Sequence, residues 1–157
     1  MIQIRMAKEE DIEQILSIAK QVNKMIQQHR SEFFGKLREF RRTPYFYSQA
    51  IRAKDSIIFV AEEKKGDVVG YVYATIERKQ DDLITIPCVS VNEIAVKTKY
   101  QGSGVGKFLM DYVHEWTHKN GIHVIQLAVW EFNKGALKLY EKMGYKTIMR
   151  KMEKVLK

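Results

Sequence analysis

The first third of the chain shows the two spacings of apolar residues that distinguish strands from helices. Apolar and polar residues alternate over 2–6, which is typical of a half-buried strand. From Ile12 to Ile26 the apolar residues recur at helical spacing, and the acidic residues at 9–11 suit the positive end of a helix dipole. The segment from Gln27, rich in aromatic and charged residues, predicts a loop and then a second helix that continues to about Lys54.

The rest of the chain predicts five strands and two helices. Strands are predicted over 56–61, over 68–76, from about 83 to 96, over 124–129 and from Tyr145 to about Lys151; helices are predicted from about 104 to 120 and over 133–143. Turn residues at 64–67 join the first two of these strands as a hairpin, and a second turn is expected at 80–82. The resulting order, β-α-α-β-β-β-α-β-α-β, predicts an α/β fold with one mixed sheet and helices on both faces.

Length and composition favour a single folded domain over residues 1–157. With 45% apolar and 29% charged residues, the composition differs from that of disordered and membrane proteins. No apolar run reaches the roughly 20 residues of a spanning helix, and residues 1–5 lack a signal peptide's apolar region. The only cysteine, Cys88, has no internal disulfide partner, so a reducing, cytoplasmic location is expected.

The net charge of +8 suits an anionic partner, because a basic surface attracts nucleic acid, anionic membrane or phosphate-bearing ligands. Lys97, Lys99 and Lys107 surround a glycine-rich segment, while the other cations are scattered along the chain. Since no DNA-binding or RNA-binding signature accompanies them, nucleic acid is not the expected partner, and neither is a membrane.

That glycine-rich segment, from Gln101 to Lys107, lies between a predicted strand and a predicted helix. The first turn of a helix has unpaired N–H groups and the positive end of the dipole, so it receives phosphate oxygens well. A Walker A loop is excluded, because Gln101 stands where its first glycine belongs and Phe108 replaces the hydroxyl residue. The glycines run GxGxG late in the chain, which also disfavours a dinucleotide fingerprint.

Two motifs follow each other in this half of the chain. The first is Gln-x-x-Gly-x-Gly after a strand, at Gln101, Gly104 and Gly106; the second, N-x-x-A-x-x-L-Y-x-x-x-G-[FY], runs from Asn133 to Tyr145. Together they resemble the pyrophosphate-binding motif and the next helix and strand of the Gcn5-related N-acetyltransferase (GNAT) superfamily. The resemblance implies that family's acyl-CoA N-acyltransferase fold, with a mixed sheet of six to seven strands, and acetyl-CoA as co-substrate without a metal.

The resemblance also implies where coenzyme A would bind. The cofactor-binding residues that it implies are Ile94, Ala95 and Val96 on the strand, Gln101, Gly102, Ser103, Gly104, Val105, Gly106 and Lys107 in the loop, and Asn133. The pantetheine arm would pair with the strand where its neighbour separates from it. A backbone N–H at Val96 would then stabilise the oxyanion that forms when an amine attacks the thioester.

Two side chains are candidates for the proton transfers. A lysine-like amine, with a pKa near ~10.4, must lose a proton before it attacks, and Glu93 is the candidate base, directly or through water. The alternative is that Glu93 only pairs with a Lys or Arg across the sheet. By resemblance, Tyr140 would donate to the leaving thiolate, although a core tyrosine is the alternative. Asn133 would bond the pantetheine arm, cap its helix, or do both.

Several other residues carry weaker hypotheses. His114 and His118 are spaced for a metal pair but have no clear third ligand, so no metal is expected. Cys88 is expected to be a small core residue. His29 and Arg30 stand where family members often form the wall of an acceptor site, or they only favour a helix end. Most of a group of six aromatic residues should pack the second helix, with one or two at an acceptor pocket; they are Phe33, Phe34, Phe40, Tyr45, Phe46 and Tyr47.

The sequence therefore predicts an N-acetyltransferase that moves an acetyl group to a primary amine by direct transfer in a ternary complex. The acceptor would be a small molecule or a protein amine, and a homodimer is possible. The alternative is a non-catalytic acyl-CoA-binding or regulatory module of the same fold. Fold alone does not decide between them, because function depends on the site.

Overall fold

The computed structural model describes residues 1–30, 42–81 and 84–156. Five strands form one sheet: β1 (Gln3–Met6), β2 (Ser56–Glu62), β3 (Val68–Asp81), β4 (Ile84–Val96) and β5 (Ile125–Leu127). Four α-helices accompany them: α1 (Ile12–His29), α2 (Pro44–Arg52), α3 (Val105–Lys119) and α4 (Lys134–Lys142). The strands lie in chain order, β1 to β4 antiparallel and β5 parallel to β4, so the sheet is mixed as predicted.

Helices cover both faces of the sheet, which confirms the predicted architecture. Residues of α1 and α2 form one apolar core with side chains of β2 and β3, among them Ile15, Ile18, Tyr47, Val60 and Tyr71. Residues of α3 and α4 form a second core on the opposite face, among them Val72, Ala74, Leu109, Val113 and Tyr140. Because side chains alternate along a strand, one strand such as β3 contributes to both cores.

The hairpin of β3 and β4 contains an irregularity that affects the site. Tyr73 lies opposite Glu93 and Ala74 lies opposite Val91, so Asn92 is an extra residue in β4. A β-bulge of this kind bends the strand and redirects the side chains next to it. The Asn92 amide donates to the Thr75 hydroxyl at 2.9 Å, which holds the bulge against β3.

Two helix ends follow the expected chemistry. The Thr43 hydroxyl accepts from the Phe46 N–H at 3.2 Å, and Pro44 occupies the first helical position of α2. At the other helix, α3 ends at Lys119, and Gly121 with a φ of 69° follows it, as the predicted Asn-Gly stop requires. These local signals fix the ends of elements more sharply than apolar spacing does.

The predicted last strand, from Tyr145 to about Lys151, is wrong. No strand forms between residues 145 and 156, and Ile148 and Met149 are 79% and 77% exposed. Alternating apolar residues express strand propensity, but a strand also needs a backbone partner, and none pairs with this segment in the described chain. Within the described residues the sheet therefore has five strands rather than six or seven. The strand predicted over 124–129 is also shorter, at Ile125–Leu127.

Some predictions fall on residues 31–41 and 82–83, outside the described ranges: the three phenylalanines Phe33, Phe34 and Phe40, and part of the 80–82 turn. None of the helices in the described ranges combines the length and the hydropathy that a bilayer crossing requires.

Candidate active site

The site begins where β4 and β5 separate. β5 pairs only with Val89, Ser90 and Val91, so the rest of β4 has no neighbour on that side within the described chain. The Lys97 N–H donates to the Val69 carbonyl at 2.8 Å. Because backbone groups of an antiparallel pair face the partner at alternate residues, the N–H groups of Ile94 and Val96 face away from β3, toward the open edge.

The glycine loop connects this edge to α3. The Gln101 side chain donates to the Val96 carbonyl at 3.1 Å, which ties the loop to the end of β4. Gly102 and Gly104 have φ values of 74° and 90°, a left-handed conformation that favours glycine. A Cβ at Gly104 would meet no atom within 4 Å, so the space beside the loop is open.

The start of α3 offers backbone donors to that space. Gly104 is the N-cap and Val105, Gly106 and Lys107 are the first helical residues, whose N–H groups have no partner within the helix. Together with the helix dipole, these free donors are suited to an anionic ligand. Lys107 pairs with Asp111 at 2.7 Å, so the backbone rather than a free lysine provides the local attraction.

Glu93 lies on the α1 and α2 side of β4 and has three hydrogen-bond donors. Its Oε2 accepts from the hydroxyls of Tyr47 and Tyr71, each at 2.8 Å. Its Oε1 accepts from the Arg42 Nε at 2.5 Å. Glu93 therefore has an ion pair, as the alternative to a catalytic role supposed, but the cation comes from the segment before α2 and not from across the sheet.

The two tyrosines remain protonated over the working pH range. Burial, followed by the negative charge of Glu93, raises the pKa of both Tyr47 and Tyr71 above the ordinary value for a phenol. They therefore act as donors to the carboxylate, whose side chain is 16% exposed. This arrangement fixes the Glu93 carboxylate in one orientation on the wall of a cavity.

The cavity has a volume of about 240 Å³ and lies between α1 and the bulged half of β4. Its wall includes Val22, Asn23 and Ile26 from α1 and Glu93 and Ala95 from β4. A larger cavity of about 360 Å³ between α2 and the β2–β3 hairpin includes no residue of β4 or of the glycine loop. The smaller cavity is therefore the one lined by β4, the strand that also provides the open edge.

Tyr140 and Asn133 lie at the two ends of α4. Tyr140 is 7% exposed, and burial raises its pKa to about 12. Within the described residues no hydrogen bond engages its hydroxyl, which is what a donor reserved for a ligand requires. Asn133 caps α4 by accepting from the Ala136 N–H at 3.2 Å, so the capping alternative is realised and its amide N–H groups remain available as donors.

The weaker candidates have structural roles. The His114 ring lies 2.8 Å from the Tyr145 hydroxyl, and the His29 ring stacks on Phe132. Arg30 pairs with Glu153 near the end of the chain. Cys88 is buried, as expected of a core residue. No three metal-ligating side chains cluster in the part of the chain that the structure describes.

Sequence reasoning missed Arg42 and Tyr71, and it named Tyr47 only as one of six aromatic residues of which one or two were expected at an acceptor pocket. Tyr71 and Tyr73 alternate along β3 and therefore share a face. A buried tyrosine needs a partner for its hydroxyl, and this need was the available signal for an acid nearby. The register that brings Glu93 opposite Tyr73 was not visible, because it depends on the bulge at Asn92.

The comparisons with known proteins agree with this geometry. A sequence profile of the acetyltransferase (GNAT) family matches residues 23–145. The chain therefore belongs to the GNAT acetyltransferase family. An N-alpha-acetyltransferase of Sulfurisphaera tokodaii is 29% identical over 109 residues, which cover 66% of this chain and 65% of that protein. The chain spans between 44% and 65% of the length of three curated relatives that it matches.

Two solved structures show the same fold. A tetramutant of the BH1408 protein from Bacillus halodurans has a TM-score of 0.89 at 19% identity, covering 98% of this chain and 99% of that one. AAC(6')-Iy, in complex with the bisubstrate analogue CoA-S-monomethyl-acetylneamine, has a TM-score of 0.74 at 17% identity, covering 100% and 99%. At these identities the likeness extends to the fold alone.

Proposed function

We propose that this protein transfers the acetyl group of acetyl-CoA to a primary amine. The observation that carries the proposal is the continuity of three features: the open edge of β4, the glycine loop tied to it by Gln101, and the cavity that contains Glu93. An extended arm with a pyrophosphate at one end and a thioester at the other fits this path. The name of the S. tokodaii relative and the coenzyme A analogue in AAC(6')-Iy support it.

The residues of β4 and the loop would hold the co-substrate. The N–H groups at the start of α3 would bind the pyrophosphate. The backbone of Ile94, Ala95 and Val96 would pair with the pantetheine amides, as a strand pairs with an added strand. The Val96 N–H would donate to the thioester carbonyl and stabilise the oxyanion of the tetrahedral intermediate.

Glu93 and Tyr140 would handle the protons. Glu93, directly or through a water molecule, would accept the proton that the ammonium group must lose before its nitrogen attacks. As the C–N bond forms and the C–S bond breaks, Tyr140 would donate a hydrogen bond to the departing thiolate. Because its pKa is about 12, Tyr140 is protonated at every working pH. The net products are an acetamide, free coenzyme A and one released proton.

A binding module without transfer is the second candidate, and the three hydrogen-bond donors that Glu93 already binds favour it. The decisive measurement is acetyl-CoA-dependent thiol release with a panel of amines, for the wild type, Tyr140→Phe and Glu93→Gln. Amine-dependent release that falls in the variants, with acetyl-CoA affinity unchanged, supports the transferase. Acetyl-CoA binding with no release for any amine favours the module, and a lack of acetyl-CoA binding overturns both.

The remaining parts of the proposal are tested in other ways. We propose that residues 1–157 act as one domain in the cytoplasm, without a nucleic-acid partner. Salt-dependent binding to DNA or RNA would contradict the last point. The predicted homodimer is tested by sedimentation of the purified protein.

A further inference from the structure

The cavity beside β4 contains one charge of each sign. Of the lining residues that the structure describes, Glu93 is the only acid and Arg42 is the only base. The remaining residues are two amides, Asn23 and Asn92, one tyrosine and five aliphatic side chains. Because the two charges are in contact, the described lining as a whole is neutral. A ligand that matches it carries both charges and an aliphatic body.

Arg42 is placed to bind a second anion without leaving Glu93. It reaches the carboxylate through Nε, and its guanidinium lies over the Phe46 ring at 4.1 Å. Among contacts between described residues, its two Nη groups donate no hydrogen bond. A guanidinium presents these two groups as a fork that matches the two oxygens of a carboxylate. The Arg42 side chain is 36% exposed, so the fork is accessible.

Glu93 can likewise accept one more donor. Its Oε2 accepts from both tyrosines, whereas Oε1 accepts only from Arg42. A carboxylate oxygen has two lone pairs, so Oε1 retains a place for an ammonium N–H. The free place on Oε1 and the free fork of Arg42 lie on adjacent groups. Because Nε of Arg42 and Oε1 of Glu93 are hydrogen-bonded to each other, an ammonium and a carboxylate on the same carbon can contact both groups.

We propose that the acceptor is a small α-amino acid with an aliphatic side chain, whose carboxylate binds the Arg42 fork and whose amine is held by Glu93. This assignment rests on the proposed function. The aliphatic wall from α1, including Val22 and Ile26, would take the side chain. Insertion of a zwitterion keeps the charges alternating, so neither Arg42 nor Glu93 loses its counterion on binding.

The same charges disfavour a polycationic acceptor. Each extra ammonium group of an aminoglycoside or polyamine requires its own carboxylate, and the described lining has one, already paired with Arg42. Such a ligand would also bring positive charge next to the Arg42 guanidinium, in a chain of net charge +8.

The reaction balances with this acceptor. The ammonium gives one proton to Glu93 or its water, and the free amine attacks the thioester carbon. A C–N bond forms and the C–S bond breaks with its electron pair on sulfur. The nitrogen then loses a second proton and the thiolate gains one, so that an N-acetyl amino acid, coenzyme A and one proton are released. No oxidant, reductant or metal is needed.

The test compares three acceptors of one shape: L-leucine, L-leucinamide and isopentylamine, with thiol release from acetyl-CoA as the readout. We expect kcat/KM for leucine to exceed that for isopentylamine by roughly 10- to 100-fold, the value of a charge-assisted hydrogen-bonded pair. The comparison with leucinamide is more stringent, because its amine loses a proton more readily and is intrinsically favoured. The proposal therefore requires that kcat/KM for leucine also exceed kcat/KM for leucinamide.

Variants assign the effect to Arg42. Arg42→Met is expected to lower the ratio of kcat/KM for leucine to kcat/KM for isopentylamine at least tenfold. Arg42→Lys should retain part of the preference for leucine. A purely structural role would lower both activities equally and leave their ratio unchanged. Arg52→Met is the matched control, because Arg52 is an exposed arginine of α2 that pairs with Glu9 away from the cavity. If the Arg42 variants do not fold, the wild-type ratios alone decide.

The outcomes separate the two proposals. If no amine accelerates thiol release, the proposed function fails. If isopentylamine or leucinamide equals or exceeds leucine, the transferase stands and the amino-acid assignment is overturned. Preferred acetylation of spermidine or an aminoglycoside would overturn it in the same way.

Discussion

Tyr47 of α2 and Tyr71 of β3 donate to the same oxygen atom of Glu93, each at 2.8 Å. One helix and two strands thus depend on one half-buried carboxylate for a common contact. The arrangement links packing to chemistry, because the same bonds that join α2 to the sheet also orient the proposed base. Substitutions here should affect stability and turnover together.

A double-mutant cycle tests this coupling. Tyr47→Phe and Tyr71→Phe should each destabilise the fold by about 1.5–3 kcal/mol, the value of a hydrogen bond to a charged group. The double variant should lose less than the sum, because the first loss lets Glu93 shift toward its remaining donors. Urea unfolding measures the change in the free energy of unfolding for each single variant and for the double variant. Strict additivity would show that the tyrosines act independently.

Turnover should depend on the Tyr140 hydroxyl. Tyr140→Phe removes only the oxygen, so the buried ring still packs and acetyl-CoA affinity should change little. A general acid or donor of this kind contributes roughly 10²–10⁴-fold, which is the expected fall in kcat. Tyr112→Phe, on α3 and partly exposed, is the matched control and should leave kcat unchanged. Equal effects in both variants would remove Tyr140 from the reaction.

The glycine loop gives a second matched pair. Gly104 and Gly144 have nearly equal φ values, 90° and 88°, and a Cβ at either would meet no atom within 4 Å. Alanine at each should cost about 1 kcal/mol or more of stability through backbone strain alone. Only Gly104→Ala should also weaken acetyl-CoA binding, measured by calorimetry. A similar loss of affinity in Gly144→Ala would mean that the loop is not the pyrophosphate site.

How far the sequence predicted this structure depends on the range of each signal. Local signals sufficed for the loop at Gly104 and the stop at Gly121, because each reflects the conformation of a few adjacent residues. The register between distant strands could not be predicted from local signals. The contacts of Arg42, Tyr47 and Tyr71 with Glu93 could therefore not be predicted either. The last strand was wrong for the same reason: local alternation cannot show whether a partner backbone is present.

Arg5 makes a second buried network, which joins β1, the start of α1 and β2. It bonds Asp11 at 2.8 Å and Glu62 at 3.1 Å, and the Asp11 side chain is only 3% exposed. Arg5→Met should cost about 3–5 kcal/mol, because it leaves a buried carboxylate without its cation. Arg52→Met, which breaks an exposed pair, should cost at most about 0.5 kcal/mol.

The cost of Arg5→Met should depend on pH. Burial alone would raise the pKa of Asp11, but hydrogen bonds from Arg5 and from the Lys8 N–H make the net shift a lowering. Hydrogen bonds from Arg5 also lower the pKa of Glu62. A lowered folded pKa stabilises the fold above the unfolded value of about 4, and this stability is lost as pH falls through the folded pKa. The difference between wild type and variant should therefore shrink below about pH 4. A constant difference in urea unfolding from pH 7 to pH 3 would contradict this account.

The buried tyrosines predict the opposite behaviour at high pH. Burial raises the pKa of Tyr140 to about 12, and that of Tyr47, Tyr71 and Tyr145 is raised as well. In the unfolded chain each phenol titrates near about 10. Stability is therefore complete below about pH 10 and falls as pH rises from there, because the unfolded chain releases protons that the folded chain keeps.

The slope identifies the residues responsible. Each such tyrosine lowers the free energy of unfolding by up to about 1.4 kcal/mol per pH unit in that window. Tyr140→Phe should remove the contribution of one tyrosine from the slope. Urea unfolding at pH 9, 10 and 11 measures how the free energy of unfolding changes with pH. Tyrosinate absorbance, recorded in parallel, shows whether the phenols ionise before the protein unfolds or together with unfolding. Absorbance that rises only with unfolding shows that the phenols are protected in the native state. Absorbance that rises while the protein is still folded would mean that these hydroxyls, including the proposed donor to the thiolate, are exposed to solvent.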